Sequence, residues 1–172
     1  MIDEQYKRLR ERLEEYGEED IITVSMLDEG ETLDNIREEE RYELTEKDAN
    51  ELLSFYISAA ARIEAESTLI INACVFDYGM IRKGSFEFIQ EQLTQSNRED
   101  MLYYLGLIDE GLKGEMARVR QKRNELAHTD RHNQIEDLHR IKNDIKRANE
   151  VVKKIVSIEQ EIEHGEFNPT DE

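Results

Sequence analysis

Cysteine, proline and tryptophan are nearly missing from this chain. Its one cysteine, Cys74, excludes an internal disulfide and any zinc centre built on CxxC pairs. Cys74 reads as a small buried hydrophobe. One proline and eight glycines leave few places where a helix must stop. Seven tyrosines, five phenylalanines and no tryptophan supply few large anchors. The longest uncharged runs, Leu52–Ala61 and Ser67–Phe76, are ten residues each. Neither approaches the roughly 18 needed to span a bilayer. The opening Met1-Ile2-Asp3-Glu4 has no basic-then-apolar leader. A cytoplasmic protein without a membrane partner is expected.

Basic residues are also scarce. Lys+Arg number 23 against 41 Asp+Glu, for a net charge of −18. Such a surface repels nucleic acid and anionic lipid on average. At 172 residues the chain is long enough for a core without covalent staples.

What is present is helical periodicity. Residues 2–16 place Ile2, Tyr6, Leu9, Leu13 and Tyr16 on one side of a charged helix. Residues 17–44 read as an acidic connector with one strand-like piece, Ile21–Val24. Thr45-Glu46-Lys47-Asp48 has the capping-box arrangement. A long helix is predicted from there to about Tyr78, stopped by Gly79, with Leu52, Phe55, Tyr56, Ala59, Ile63, Ile70 and Phe76 at core spacing. Thr68–Phe76 is apolar all round except Asn72, so it is expected to be central, with Asn72 a satisfied amide. Ser85 and Ser96 are the next candidate caps, for helices at about 86–94 and 97–109. Gly111 and Gly114 separate these from a helix at about 113–128. A polar turn, Thr129–Asn133, precedes a final helix from Gln134 to about His164, closed by Gly165 and Pro169. Leu138, Ile141, Ile145, Ala148, Val152, Ile155 and Ile162 mark its buried face. The expected organisation is an N-terminal helix and acidic connector over 1–44, an all-α bundle over 45–165, and a disordered tail over 166–172.

One segment departs from the acidic background. Residues 112–147 carry ten basic and six acidic side chains, and the densest part holds Lys113, Arg118, Arg120, Lys122 and Arg123. A solvated helix pairing with the acidic remainder produces this pattern. So does a phosphate site on a body that sheds non-specific polyanion.

Inside this segment stands Arg123-Asn124-Glu125-Leu126-Ala127-His128, at the end of the penultimate helix. The sequence resembles the HEPN superfamily, the higher eukaryotes and prokaryotes nucleotide-binding domains. Their signature is an Arg and a His separated by four to six residues, often with Asn directly after the Arg. The specific part of the resemblance is residues 123–128; in helix order it extends over about 45–163, and residues 1–44 have no counterpart. It implies an up-and-down helical bundle that dimerises through the motif-bearing helices and acts as an endoribonuclease without metal or cofactor. Arg123 and His128 of two subunits would be catalytic, supported by Asn124. Arg118, Arg120, Lys122, Arg131 and His132 would bind substrate. Many such proteins are toxins of toxin–antitoxin or defence systems, so an antitoxin protein is an implied partner.

The chemistry is consistent with these residue types. RNA carries its own nucleophile, the 2′-OH, so DNA is not expected as a substrate. Cleavage needs that proton removed, the leaving 5′-oxygen protonated and phosphate charge offset. Histidine titrates near neutrality and arginine offers a fixed two-pronged cation. Positions 123 and 128 lie about 140° apart on an ideal helix. Either the helix ends near Ala127 or a partner chain completes the site.

Other residues have plainer readings. His139 is expected at the surface and His164 at a frayed end. Tyr103 and Tyr104 could stack a base but fit a core edge better. Two further readings of the whole remain: a non-catalytic RNA-, nucleotide- or protein-binding dimer, and a purely structural bundle. In the latter, Arg123 pairs with Glu125 or Asp130 and His128 caps a helix.

Overall fold

A computed structural model describes residues 2–26, 37–76, 91–128 and 135–167. Its element order is α1 (Ile2–Glu14), β1 (Ile21–Met26), β2 (Arg37–Glu43), α2 (Glu46–Ile71), α3 (Gln95–Tyr104), α4 (Glu110–His128), β3 (Ile135–Glu136) and α5 (Leu138–His164). The architecture is mostly helical, as the periodicity predicts.

Helix α2 is the central element, packed against α1, α3, α4 and α5. Its inward face carries Leu52, Phe55, Tyr56, Ala59, Ile63 and Ile70, all buried. α5 contributes Ile141, Ile145, Ala148, Val152 and Ile155 to the same core. α1 belongs to it as well, through Leu9 and Leu13. Burying such side chains stabilises the fold by about 2 kcal/mol each. Phe167 also packs against this core, at the start of the expected tail.

The N-terminus of α2 starts as its sequence predicts, with a relay added. The Thr45 hydroxyl accepts from the Asp48 N–H at 3.2 Å. In a simple capping box the Asp48 carboxylate would accept from the Thr45 N–H. Here the Thr45 N–H donates to the Tyr16 hydroxyl, which donates in turn to Asp48 Oδ2. Arg12 closes the cluster on Asp48 Oδ1 at 2.6 Å. The Thr45 hydroxyl thereby caps α2, and the Asp48 carboxylate fastens α1 to it through Arg12.

Several expectations are corrected. The acidic connector contains two paired strands, not one strand-like piece. β1 pairs antiparallel with β2, from Ile21 opposite Tyr42 to Met26 opposite Arg37, and β2 pairs with β3. α2 gives way at Asn72 to a wider π-type turn, Asn72–Phe76. Its last turn is not wholly central, because Leu69 is 44% exposed. Asn72 is a satisfied amide, donating to the Thr68 carbonyl at 2.8 Å, but it is half-buried rather than in the core. Cys74 is also half-buried, and burial pushes its thiol pKa up, away from reactive thiolate.

α3 begins two residues earlier than expected, since Thr94 and not Ser96 caps it by accepting from the Asn97 N–H. It ends at Tyr104 rather than 109. Gly106 adopts the left-handed conformation at φ 70°, and the Leu107 N–H closes on the Leu102 carbonyl. α4 begins at Glu110 with the Asp109 carboxylate accepting from the Leu112 N–H, so Gly111 and Gly114 lie inside the helix. α5 starts at Leu138, capped by Asp137, and ends on Gly165 at φ 71° as expected. Gly79, Ser85 and most of the expected 86–94 helix lie outside the described residues, as does the expected Thr129–Asn133 turn.

Candidate functional site

The motif sits at the C-terminal end of α4. That helix continues unbroken to His128, so Arg123 and His128 leave the axis about 140° apart. One chain does not bring the two side chains together. Arg123 turns toward α2 and α3, where it borders a crevice of about 20 Å³ with Ala60, Glu64, Gln95 and Glu99. His128 is exposed.

Asn124 holds the guanidinium. Arg123 donates from Nε at 3.1 Å and from Nη2 at 2.7 Å to Asn124 Oδ1. The alternative pairing of Arg123 with Glu125 does not form, because Glu125 accepts from Lys122 at 3.0 Å. Asp130, Arg131 and His132 lie outside the described residues.

The neighbouring cations are far more engaged than the sequence suggests. Arg120, expected to bind substrate, is held in an ion pair with α3. Its Nη2 lies 3.1 Å from Glu99 Oε2, and Glu99 is only 2% exposed. Arg118 pairs with Glu115, Lys122 with Glu125, and Lys113 with Asp100 at 2.7 Å. Lys113 also lies over the Tyr103 ring, 4.9 Å from its centroid. Tyr103 is half-buried against the core, as expected of an edge residue, whereas Tyr104 is 81% exposed. Four of the five cations in the densest part of the basic segment, Lys113, Arg118, Arg120 and Lys122, are therefore paired with carboxylates on α3 and α4.

A larger space lies on the other flank of α4. Between the C-terminal half of α4 and the N-terminal half of α5 is a cleft of about 600 Å³. That volume suits a nucleotide-sized ligand. Arg118, Gln121 and Lys122 line one wall, and His139, Arg140, Asn143 and Arg147 the other. Buried Tyr56 and Val119 are at its floor.

The α5 wall was not singled out from the sequence, although Arg140, Asn143 and Arg147 follow helical spacing within the one basic segment. His139, expected at the surface, is exposed and lines this cleft. Among the described residues, no three His, Cys, Asp or Glu side chains gather as a metal site, and no helix is long and apolar enough to cross a membrane.

No family model, no curated protein and no solved structure matches the chain.

Proposed function

We propose that this protein is a homodimeric endoribonuclease of HEPN type. Arg123 of one copy and His128 of the other would meet across a two-fold axis. The observation that carries the reading is the disposition of the motif. Asn124 fixes Arg123, His128 is exposed one turn past the cleft residue Glu125, and the unbroken helix points them in different directions. A two-fold partner answers that divergence and supplies two imidazoles to one groove.

In this reading one His128 takes the proton from the 2′-OH as its oxygen attacks phosphorus. The P–O5′ bond breaks, and the second His128 gives a proton to the leaving oxygen. Arg123 offsets charge on the phosphate in the transition state. The products carry a 2′,3′-cyclic phosphate and a 5′-hydroxyl. A toxin role with a protein antitoxin is the biological setting the resemblance suggests.

The test is incubation of the pure protein with RNA in chelator, with end-group analysis and sedimentation. Wild type is expected to sediment as a dimer and leave cyclic-phosphate ends. His128→Ala and Arg123→Ala are each expected to slow cleavage about 100-fold or more without loss of helicity. Wild-type rates in either variant, or a monomer that cuts, would overturn the reading. Binding of RNA without cyclic-phosphate product would point instead to a non-catalytic module.

A further inference from the structure

We propose that the α4–α5 cleft is the groove that grips the sugar–phosphate chain of RNA, with Arg140, Asn143 and Arg147 of α5 as its phosphate ligands. The inference rests on the ribonuclease reading for the identity of the polymer.

Three observations lead to it. The first is room. The crevice beside Arg123 holds about 20 Å³, whereas the cleft holds about 600 Å³. Among the described residues, the crevice on the Arg123 side of α4 is too small to seat a nucleotide, and the cleft on the other side is large enough.

The second is the state of the charges. Four carboxylates line the cleft, and each has a local engagement. Glu115 pairs with Arg118, and Glu125 with Lys122. Asp137 caps α5 by accepting from the Arg140 N–H at 3.0 Å, and Asp144 lies 3.8 Å from Arg140 Nε. Among the described residues, the side chains of Arg147, Asn143 and His139 make no hydrogen bond or ion pair. The contacts of Arg118 and Arg140 are exposed pairs within one helix, which hold weakly. A phosphate accepting two parallel N–H bonds from a guanidinium competes well with them. Arg140 and Arg147 lie seven residues apart, about 10 Å along the axis, so they reach different phosphates of one strand.

The third is alignment with the motif. Positions 121 and 128 are seven residues apart and lie about 20° apart around the axis. Gln121 lines the cleft, so His128 continues that flank at the C-terminal end of α4. A strand lying in the cleft runs past His128 of the same chain. Arg123, which faces away, is then the group that the second copy delivers.

The experiment uses the full-length protein and a fluorescent single-stranded RNA with every 2′-OH methylated, which cannot be cleaved. Affinity is read by anisotropy in chelator across a salt series. Arg147→Ala and Arg140→Ala are each expected to weaken binding about tenfold. Each is expected to make the slope of log affinity against log salt shallower by about 0.7, the value for one contact to a single strand. Arg10→Ala, on an exposed pair of α1, is the control and is expected to bind as wild type. Unchanged affinity and slope in both α5 variants would overturn the inference, as would equal loss in the control or no binding by wild type. Cleavage of unmodified RNA is scored separately. Binding that depends on Arg140 and Arg147 without any cleavage keeps the groove and removes the nuclease. Cleavage with binding indifferent to both residues removes the groove and keeps the nuclease.

Discussion

The most consequential single residues in the molecule are charged and buried. Arg98 is 1% exposed and lies 2.8 Å from Glu64 of α2, while its neighbour Glu99, 2% exposed, pairs with Arg120 of α4. Adjacent helical positions point about 100° apart, so α3 inserts opposite charges toward two different helices. Removing one partner of such a pair leaves a buried charge uncompensated. Arg120→Ala is therefore expected to destabilise the fold by about 3 kcal/mol, read as a lower urea midpoint. Its effect on RNA affinity, compared at conditions where both proteins are folded, should be absent. Loss of affinity with full stability would restore Arg120 to the substrate site.

Glu66 gives a pH dependence at the same scale. Burial pushes its carboxyl pKa up, Arg62 opposes this, and Glu159 adds to the rise. A raised carboxyl holds its proton more tightly when folded, so its contribution to stability is greatest in acid and falls as pH rises through the folded value. Glu66→Gln is expected to be more stable than wild type at pH 7.5. The advantage should vanish once the pH is below the ordinary glutamate range. Chemical denaturation at the two pH values checks this, and an advantage that persists unchanged in acid would contradict it.

At the scale of elements, caps decide where helices begin and end. Asp137 and Gly165 bound α5; the glycine stop is the expected one, whereas the helix begins at Leu138 and not at Gln134. Gly165 sits at φ 71°, where a side chain is strained, although open space surrounds it. Gly165→Ala is thus expected to cost about 1 kcal/mol, seen as a lower thermal midpoint with native helicity retained. The boundaries of α3 were harder to read. Ser96-Asn97-Arg98-Glu99 has the form of a capping box, but Thr94 reaches the Asn97 N–H and Glu99 turns inward to Arg120. The strand β2 gave no signal at all. Its sequence, Arg-Glu-Glu-Glu-Arg-Tyr-Glu, has no alternation of apolar residues and is a strand because β1 and β3 pair with it on either side. Backbone ladders of that kind depend on partners rather than on side-chain pattern.

At the scale of the whole molecule, a net charge of −18 surrounds the one basic segment. The sequence locates that segment but counts its cations as equal. Folding separates them into those that bind α3, those that pair within a helix, and those that line the α4–α5 cleft. The acidic remainder should repel RNA everywhere else, so binding is expected to be confined to one groove and to weaken with added salt only as far as its few phosphate contacts dictate.

Helix positions, the capped start of α2, the glycine stop of α5 and the location of the Arg-Asn-x-x-x-His motif were determined by the sequence alone. Each depends on residues within a turn or two of one another, and helical periodicity makes such relations visible in one dimension. The fate of the cations was decided only by tertiary structure. Glu99 and Arg120 are 21 residues apart, and the cleft takes its walls from two different helices, α4 and α5. Ion-pair partners and cavities arise from packing, so no local pattern could show that Arg120 is held by buried Glu99 while Arg147 faces open space.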